Sequence, residues 1–131
     1  MVAEKKPWLK FYDDIPETID YPKVSLYERL MQTVEKHPDE IAWDFMGNEC
    51  TYRDFGAEVD RFANALKAIG MKEGDVITIS MPTAPNGIVP IYAANKIGGV
   101  CSMIHPLSPA PQIEMYLNIS KSKYALTLDI F

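Results

Sequence analysis

The sequence predicts an α/β domain in which an antiparallel hairpin is followed by a β-α-β-α-β unit with a parallel sheet. Two short apolar runs flank Gly47-Asn48, and a glycine turn between such runs is typical of a hairpin. Three later β-rich runs, at 76–80, 100–104 and 124–128, alternate with segments of helical spacing. Strands separated by helices pair in parallel through right-handed crossovers, so we expect one parallel sheet after the hairpin.

Composition and charge place the chain among ordinary globular proteins and exclude several partners. The 131 residues are 47% hydrophobic and 24% charged, with a formal net charge of −5, which suits one domain or part of one. The 13 Lys and Arg residues are scattered among 18 acids and form no basic patch for nucleic acid. The longest nearly apolar run, 87–94, is too short to span a membrane. No export signal follows the first lysines, so we expect a cytoplasmic protein.

Residues 1–24 are predicted to form an extended N-terminal arm. Between residues 7 and 22 the chain carries three prolines and several aromatic residues without a helical or strand period. We expect the arm to be a strap whose Trp8, Phe11 and Tyr12 cover an apolar patch, in preference to an aromatic ligand cage.

Two capping boxes mark the starts of the first two predicted helices. Ser25 with Glu28 opens the first helix, and Thr51 with Asp54 opens the second. In each pair the hydroxyl oxygen can accept from an N–H in the first helical turn. The second helix should end at Gly70, where a left-handed C-cap belongs.

The later turns carry more detailed expectations. In the hairpin, Gly47 is predicted to be the first of two residues in a type II′ turn. The third helix, 87–97, is apolar on most faces and should be buried, with Pro90 either kinking it or lying in its first turn. After the second parallel strand, Ser108 is the predicted N-cap and Pro109 the first residue of the last helix.

No catalytic, cofactor or metal residue can be assigned from residue chemistry alone. In parallel sheets, ligands bind outside the carboxyl ends of the strands, which here are 81–86, 105–108 and Asp129 onward. His105 has no carboxylate or cysteine at ligand spacing, and we interpret it as a structural histidine or one lining a larger site. Asp129 is interpreted as a cap in preference to a cation ligand.

The cysteines and glycines do not form a site either. Cys50 and Cys101 lie in predicted strands, and each is expected to be a buried free thiol. Cys101 and His105 are four residues apart along a strand, about 13 Å, so they cannot act as a nucleophile and its base. Neither of the phosphate-binding glycine motifs, G-x-G-x-x-G and G-x-x-x-x-G-K-[ST], occurs in the sequence. The glycines of 70–75 follow a helix, whereas glycines that bind phosphate precede one.

From Cys50 to Pro109 the sequence reads CTYRDFGAEVDRFANALKAIGMKEGDVITISMPTAPNGIVPIYAANKIGGVCSMIHPLSP. This stretch resembles the start of the adenylate-forming acyl-CoA synthetases, the AMP-binding superfamily. The matching pieces are Thr51-Tyr52 before the long helix, the turn 70–75, Pro82 and Pro85 after a strand, 94–99 before the next, and His105-Pro106 at its end. The arm KPWLKFYDDIPETIDYP, with SLYERLMQTVEKHPDEIAWDFMGNECTY, is similar to the long-chain fatty acid CoA ligase branch.

The resemblance implies a parent enzyme, an acid-thiol ligase that activates a carboxylic acid, here a fatty acid, through an acyl-adenylate to acyl-CoA. It implies ATP, magnesium and coenzyme A as the parent's cofactors and substrates. In the family, the phosphate loop, the nucleotide and magnesium ligands and the catalytic lysine follow the point where this chain stops. We therefore carry over no catalytic, cofactor-binding or metal residue. Residues 25–131 are interpreted as an incomplete N-terminal subdomain, an excised piece expected to be inactive alone.

A freestanding, non-catalytic α/β module for binding or dimerisation is the alternative. It depends on the same incomplete sheet, because exposed strand edges invite pairing with another chain. A short pseudo-enzyme descended from the ligases is a third reading.

Overall fold

The computed structural model describes residues 6–129, in which a short 3-10 helix at Pro7–Phe11 precedes four α-helices and five strands. In chain order they are α1 (Leu26–Lys36), β1 (Ile41–Phe45), β2 (Asn48–Thr51), α2 (Tyr52–Ala68), β3 (Val76–Ser80), α3 (Pro85–Lys96), β4 (Val100–Met103), α4 (Ala110–Ser120) and β5 (Tyr124–Thr127). Strands β1 and β2 form an antiparallel hairpin, and the other three form a parallel sheet in the order β4-β3-β5. The predicted fold class is confirmed.

The two crossover helices lie on opposite faces of the parallel sheet. The connection from β3 to β4 and the connection from β4 to β5 run in opposite directions across the sheet, so right-handed crossovers place α3 and α4 on opposite faces. The residues of β3 alternate accordingly. Ile77 and Ile79 pack into the core with α2 and α3, whereas the Thr78 hydroxyl lies 2.5 Å from the hydroxyl of Ser122, just after α4.

The core lies between the parallel sheet and helices α1 to α3. Hydrogen bonds join these helices where they meet: Asn95 Oδ1 accepts from the Tyr27 N–H (2.9 Å) in the first turn of α1. The Asp60 carboxylate accepts from the Tyr27 hydroxyl (3.0 Å) and the Lys96 ammonium (2.7 Å). The buried apolar side chains are Leu30, Cys50, Phe55, Val59, Ala63, Leu66, Met71, Ile77, Ile79, Val89, Ala93 and Ala94.

The predicted capping box is complete at α1 and partial at α2. Ser25 Oγ accepts from the Glu28 N–H (3.1 Å), and the Glu28 carboxylate accepts from the Ser25 N–H (2.7 Å). Thr51 Oγ1 likewise accepts from the Asp54 N–H (3.1 Å), but the Asp54 carboxylate accepts from the Thr51 hydroxyl (2.8 Å). Because aspartate is one methylene shorter than the glutamate of a full capping box, the Asp54 carboxylate bonds to the Thr51 hydroxyl and not to the Thr51 backbone N–H.

The predicted left-handed C-cap of α2 is confirmed. Gly70 has a φ of 94°, and its N–H donates to the Lys67 carbonyl (3.0 Å) while the Met71 N–H donates to the Leu66 carbonyl (3.0 Å). This pair of bonds is the Schellman arrangement. Met71, the residue after the glycine, is buried and directs the chain back toward the core before β3.

The hairpin turn is type I′, so the predicted type II′ was wrong. Phe45 pairs with Asn48, which leaves Met46 and Gly47 as the two central residues, with φ values of 55° and 81°. Positive φ at both positions defines type I′. The Asp44 carboxylate accepts from the Gly47 N–H (2.9 Å) and stabilises a turn whose first central residue is not glycine.

Pro90 lies beyond the first turn of α3, so of its two predicted alternatives only the kink still stands, and Pro109 lies one position earlier relative to α4 than predicted. Pro90 is buried at the sixth residue of α3, beyond the first turn, so the Asn86 carbonyl has no helical N–H to accept from. Pro109 is the N-cap of α4, without a side-chain cap bond. Its ψ of 147° is extended, and Ser108 therefore lies in the preceding turn and does not cap the helix.

The described part of the predicted arm leaves the side chains of Trp8 and Phe11 uncovered. Pro7–Phe11 is a 3-10 helix where extended chain was predicted, because a proline at the first position favours a helical turn. Trp8 is 51% exposed and Phe11 70%, so the strap prediction is wrong for these two side chains, while Tyr12 is half-buried. Residues 1–5 of the predicted arm lie outside the described residues.

Asp75 joins the segments at the amino end of the parallel sheet. Its largely buried carboxylate accepts from the Lys123 ammonium and from the Lys72 N–H (3.0 Å). These bonds, that of Lys123 first, lower the pKa of Asp75, and the carboxylate raises the pKa of Lys123. The start of β5 is thereby attached to the start of β3.

Stability should therefore fall in acid partly through Asp75. A carboxyl whose pKa is lower in the native state stabilises the fold fully above its unfolded pKa, and that contribution is lost as pH falls through the native pKa. We expect Asp75→Asn to flatten the acid limb of the urea midpoint measured from about pH 7 to pH 3. Asp14→Asn, at an exposed position, is the control. Identical acid limbs in wild type and Asp75→Asn would contradict this role.

Candidate functional site

An open groove of about 640 Å³ lies at the carboxyl ends of β3 and β5. Helices α2 and α3 form its walls, and the chain that follows the two strands forms its end. The lining residues are Glu58, Arg61, Phe62, Ala65, Met81, Asn86, Val89, Pro90, Leu126, Thr127, Leu128 and Asp129. The groove thus contains residues from two of the three loop regions to which the sequence directed attention.

The groove lies at the topological switch point of the sheet. The chain leaves β3 toward β4 on one side, then passes β3 again to reach β5 on the other. In open parallel sheets, ligands bind outside the carboxyl ends where the chain reverses direction in this way. The boundary between β3 and β5 is that point, so the topology selects this groove as the candidate site.

The groove has an apolar floor and a polar rim. Phe62, Val89 and Leu126 are buried or half-buried parts of it. At the rim, the exposed Arg61 guanidinium is 4.0 Å from the Glu58 carboxylate, and such a solvated pair contributes little to stability. The arrangement suits an apolar group with a polar end.

The rim does not assemble a metal or catalytic cluster from the residues that the structure describes. Within 6–129, no three side chains of His, Cys, Asp or Glu are grouped so that they could hold a metal ion. Asp129, at the end of the groove, is exposed. In the same part of the chain, no helix combines the length and apolarity needed to cross a membrane.

His105 lies away from the groove, on the other face of the sheet. With Ser102, Ser108 and Tyr116 it lines a second cavity, of about 340 Å³, beside α4. The turn after β4 leads into α4, and α4 packs on the face opposite α3. Of the three predicted loop regions, the structure therefore brings together 81–86 and Asp129, but not 105–108.

Both cysteines are free thiols on strands, as predicted, but only Cys50 is buried. Cys101 is half-buried because, within the part of the chain that the structure describes, β4 has a neighbouring strand on one side only. Burial raises the pKa of both thiols. The Cys101 Sγ lies 3.9 Å from the Ile91 carbonyl of α3, whereas His105 lines the cavity on the α4 face, so the two do not form a nucleophile and base.

Sequence reasoning missed the contribution of α2 to the groove. Glu58, Arg61 and Phe62 belong to no functional motif in the sequence, and tertiary packing brings them beside the end of β5. A signal was present, because Phe62 belongs to the apolar face of α2 and that face must lie against the sheet.

The parallel sheet, its helices on both faces and the groove at the switch point define a domain of the open α/β class, in which ligands bind at such a point. Residues 30–130 match the model of the AMP-binding enzyme family. The chain belongs to that family, and the resemblance seen in the sequence is confirmed.

Curated relatives are acyl-CoA and acetyl-CoA synthetases. The long-chain-fatty-acid–CoA ligase of Bacillus subtilis (strain 168) is 28% identical over 130 residues, covering 98% of this chain and 23% of that protein. The acetyl-coenzyme A synthetase of Shewanella amazonensis is 31% identical over 146 residues, covering 97% and 22%. The 3-hydroxypropionyl-coenzyme A synthetase of Metallosphaera sedula is 37% identical over 107 residues, covering 79% and 16%. The chain spans less than a quarter of the length of these relatives.

Solved structures share the fold. The N-terminal subdomain of Klebsiella oxytoca NpsA has a TM-score of 0.78 at 22% identity, covering 82% of this chain and 28% of that one. The inhibitor-bound N-terminal domain of FACL13 from Mycobacterium tuberculosis has a TM-score of 0.74 at 27% identity, covering 77% and 26%. The predicted architecture, part of the N-terminal domain of the adenylate-forming fold, is confirmed.

Proposed function

We propose that this chain is the N-terminal part of an AMP-forming acyl-CoA synthetase. The observation that carries the proposal is the family match over residues 30–130. In the reaction, a carboxylate oxygen attacks the α-phosphorus of ATP and pyrophosphate leaves, which gives an acyl-adenylate. The thiol of coenzyme A then attacks the acyl carbon, loses its proton and displaces AMP. Magnesium and fixed donors would offset the charge on the phosphates.

The part played by these residues is to form scaffold and one wall of the site. The groove offers an apolar floor at the switch point, and its rim has one cationic side chain, Arg61. We place the phosphate loop, the nucleotide and magnesium ligands and the coenzyme A contacts in parts of a parent protein outside these 131 residues. Residues 25–131 are accordingly proposed as one incomplete subdomain, and the parent as cytoplasmic.

A fatty acid is the proposed substrate. Its support is the similarity of nearly the whole chain, arm included, to the Bacillus ligase. The acetyl-coenzyme A synthetase of Shewanella amazonensis aligns over a comparable share of the chain, so acetate is the competing substrate that an experiment has to exclude.

A chimera tests the function. The aligned segment of the Bacillus ligase would be replaced by this chain, and ATP- and coenzyme A-dependent thioester formation measured with palmitate, octanoate and acetate. We expect activity with the fatty acids, and none in a matched chimera carrying an unrelated α/β segment. A folded chimera that is inactive with all three acids would contradict the proposal, and activity with acetate alone would overturn the fatty acid assignment.

The isolated chain should neither release pyrophosphate from ATP in the presence of a fatty acid nor bind ATP saturably. Pyrophosphate release in a coupled assay, or saturable ATP binding in calorimetry, would contradict the proposal that these residues supply only scaffold and one wall of the site.

A dimerisation module remains the second candidate. Each outer strand of the parallel sheet pairs on one side only among the described residues, and Val100 and Met103 on β4 are more than half exposed. Sedimentation velocity distinguishes the dimerisation module from the synthetase part. A monomer at all concentrations argues against the module, whereas a stable dimer together with an inactive chimera favours it.

A further inference from the structure

The cavity beside α4, separate from the groove, has the features of a small-molecule site. It lies between β4, the turn 105–108 and α4, at the carboxyl end of β4, and has a volume of about 340 Å³. Among residues 6–129, no Lys, Arg, Asp or Glu side chain lines it. A ligand held there would meet neutral donors and apolar walls.

The side chains that line the cavity include those of Ser102, His105 and Ser108, each of which offers a hydrogen-bond donor. His105 Nδ1 accepts from the Leu107 N–H (3.1 Å), so in this neutral ring the hydrogen resides on Nε2, which can donate. The hydroxyls of Ser102 and Ser108 form no hydrogen bond with any other residue in the range 6–129. Because Ser102 pairs with Thr78 across the sheet, its side chain lies on the same face as the buried Thr78 hydroxyl, toward α4.

A chain of hydroxyl groups holds the cavity walls in place. Ser120 Oγ donates to the Tyr116 carbonyl (2.7 Å) and lies 2.8 Å from Ser122 Oγ, which in turn lies 2.5 Å from the buried Thr78 hydroxyl. The end of α4 is thus joined to the central strand. A cavity already formed in the free protein avoids part of the ordering cost of binding.

The apolar walls of the cavity and its lack of charged lining side chains limit the class of ligand. Ile104, which follows Ser102 by two residues and is half-buried, and Ile119, which is 73% exposed, provide apolar contact area. An anion would lose hydration without meeting a cation in the cavity, and a cation would meet no carboxylate, so either would be costly to bury. A carbonyl oxygen, which has two lone pairs and no charge, suits the neutral donors.

We propose that this cavity binds a small uncharged molecule with a carbonyl acceptor and a short apolar chain, such as a secondary amide. The carbonyl oxygen accepts from His105 Nε2 and from the hydroxyl of Ser102 or Ser108. The apolar chain contacts Ile104 and Ile119. This inference does not depend on the proposed synthetase function, since the cavity and the groove lie on opposite faces of the sheet.

Titration of the 131-residue chain with N-methylbutyramide, followed by ¹H–¹⁵N correlation spectra, tests the proposal. We expect saturable shifts concentrated at the amides of Leu107, Ser108, Tyr116 and Ile119. Removing one neutral hydrogen bond should weaken binding about three- to ten-fold in His105→Phe and in Ser108→Ala. His37→Phe, at the exposed C-cap of α1, should leave the affinity unchanged.

Each outcome supports or overturns the proposal. Well-dispersed spectra show that a variant is folded. If His105→Phe does not fold, Ser108→Ala is the variant that tests the loss of a donor. Absence of saturable shifts, or equal affinity in a folded donor variant and wild type, overturns the proposal. Butyrate in a parallel titration tests the charge argument, because tighter binding of butyrate than of the amide would overturn the uncharged class.

Discussion

Ile79→Ala is expected to lower the free energy of unfolding by about 3–4 kcal/mol. Ile79 is 0% exposed on the central strand of the parallel sheet, in the core formed with α2 and α3. Truncation loses the transfer free energy of the removed carbons and leaves a cavity that a close-packed centre cannot close. Urea unfolding measures the loss, a large share of the roughly 5–15 kcal/mol typical of a domain.

Ile119→Ala is the matched control. Ile119 is 73% exposed on α4, so the same truncation should change the free energy of unfolding by less than about 0.5 kcal/mol. Equal losses in the two variants would mean that Ile79 is not at the centre of the core. A large loss at Ile119 alone would mean that α4 is covered in solution, as by self-association.

Gly87→Ala is expected to destabilise the fold by about 1–3 kcal/mol, opposite in sign to its ordinary effect. In a helix, alanine is usually favoured over glycine by about 0.5–1 kcal/mol. At Gly87, however, an added Cβ would lie 2.9 Å from the Pro82 carbonyl oxygen and 3.3 Å from Met81 Cβ. The backbone of the turn would have to move, and thermal unfolding would report a lower midpoint.

Asn86→Ala controls for helix propensity. Asn86 is exposed in the same turn of α3, so alanine there should be neutral or stabilising by a few tenths of a kcal/mol. Met81 and Asn86 also line the groove, so displacement of this turn by Gly87→Ala should reduce thioester formation in the chimera. A stabilised Gly87→Ala variant would show that the turn does not pack against α3 as described.

Features decided within a few residues could be predicted. The capping box at Ser25 and the left-handed Gly70 depend on bonds between residues three to five positions apart, so their pattern is visible in the chain itself. The mistaken details depended on geometry that the residue types alone did not show. The hairpin turn type follows from the register of Phe45 with Asn48, and the exposure of Trp8 and Phe11 depends on what the rest of the fold brings near them.

The candidate site was predictable only as a set of strand ends. The general rule for parallel sheets directed attention to 81–86, 105–108 and Asp129. It could not show that two of these regions meet in one groove while the third faces the opposite side, because that depends on which way each crossover runs.

The sequence by itself determined the α/β class, the order of the helices and strands, and the family to which the chain belongs. The class and the order follow from hydrophobic periodicity, caps and turn residues, all of which act locally, and the family follows from the resemblance of the motifs between Cys50 and Pro109 to those of known members. Only the tertiary structure decided the strand order β4-β3-β5, and with it the switch point, the groove and the separate cavity of His105. Strand order is set by packing between residues far apart in the chain, and no local pattern records it.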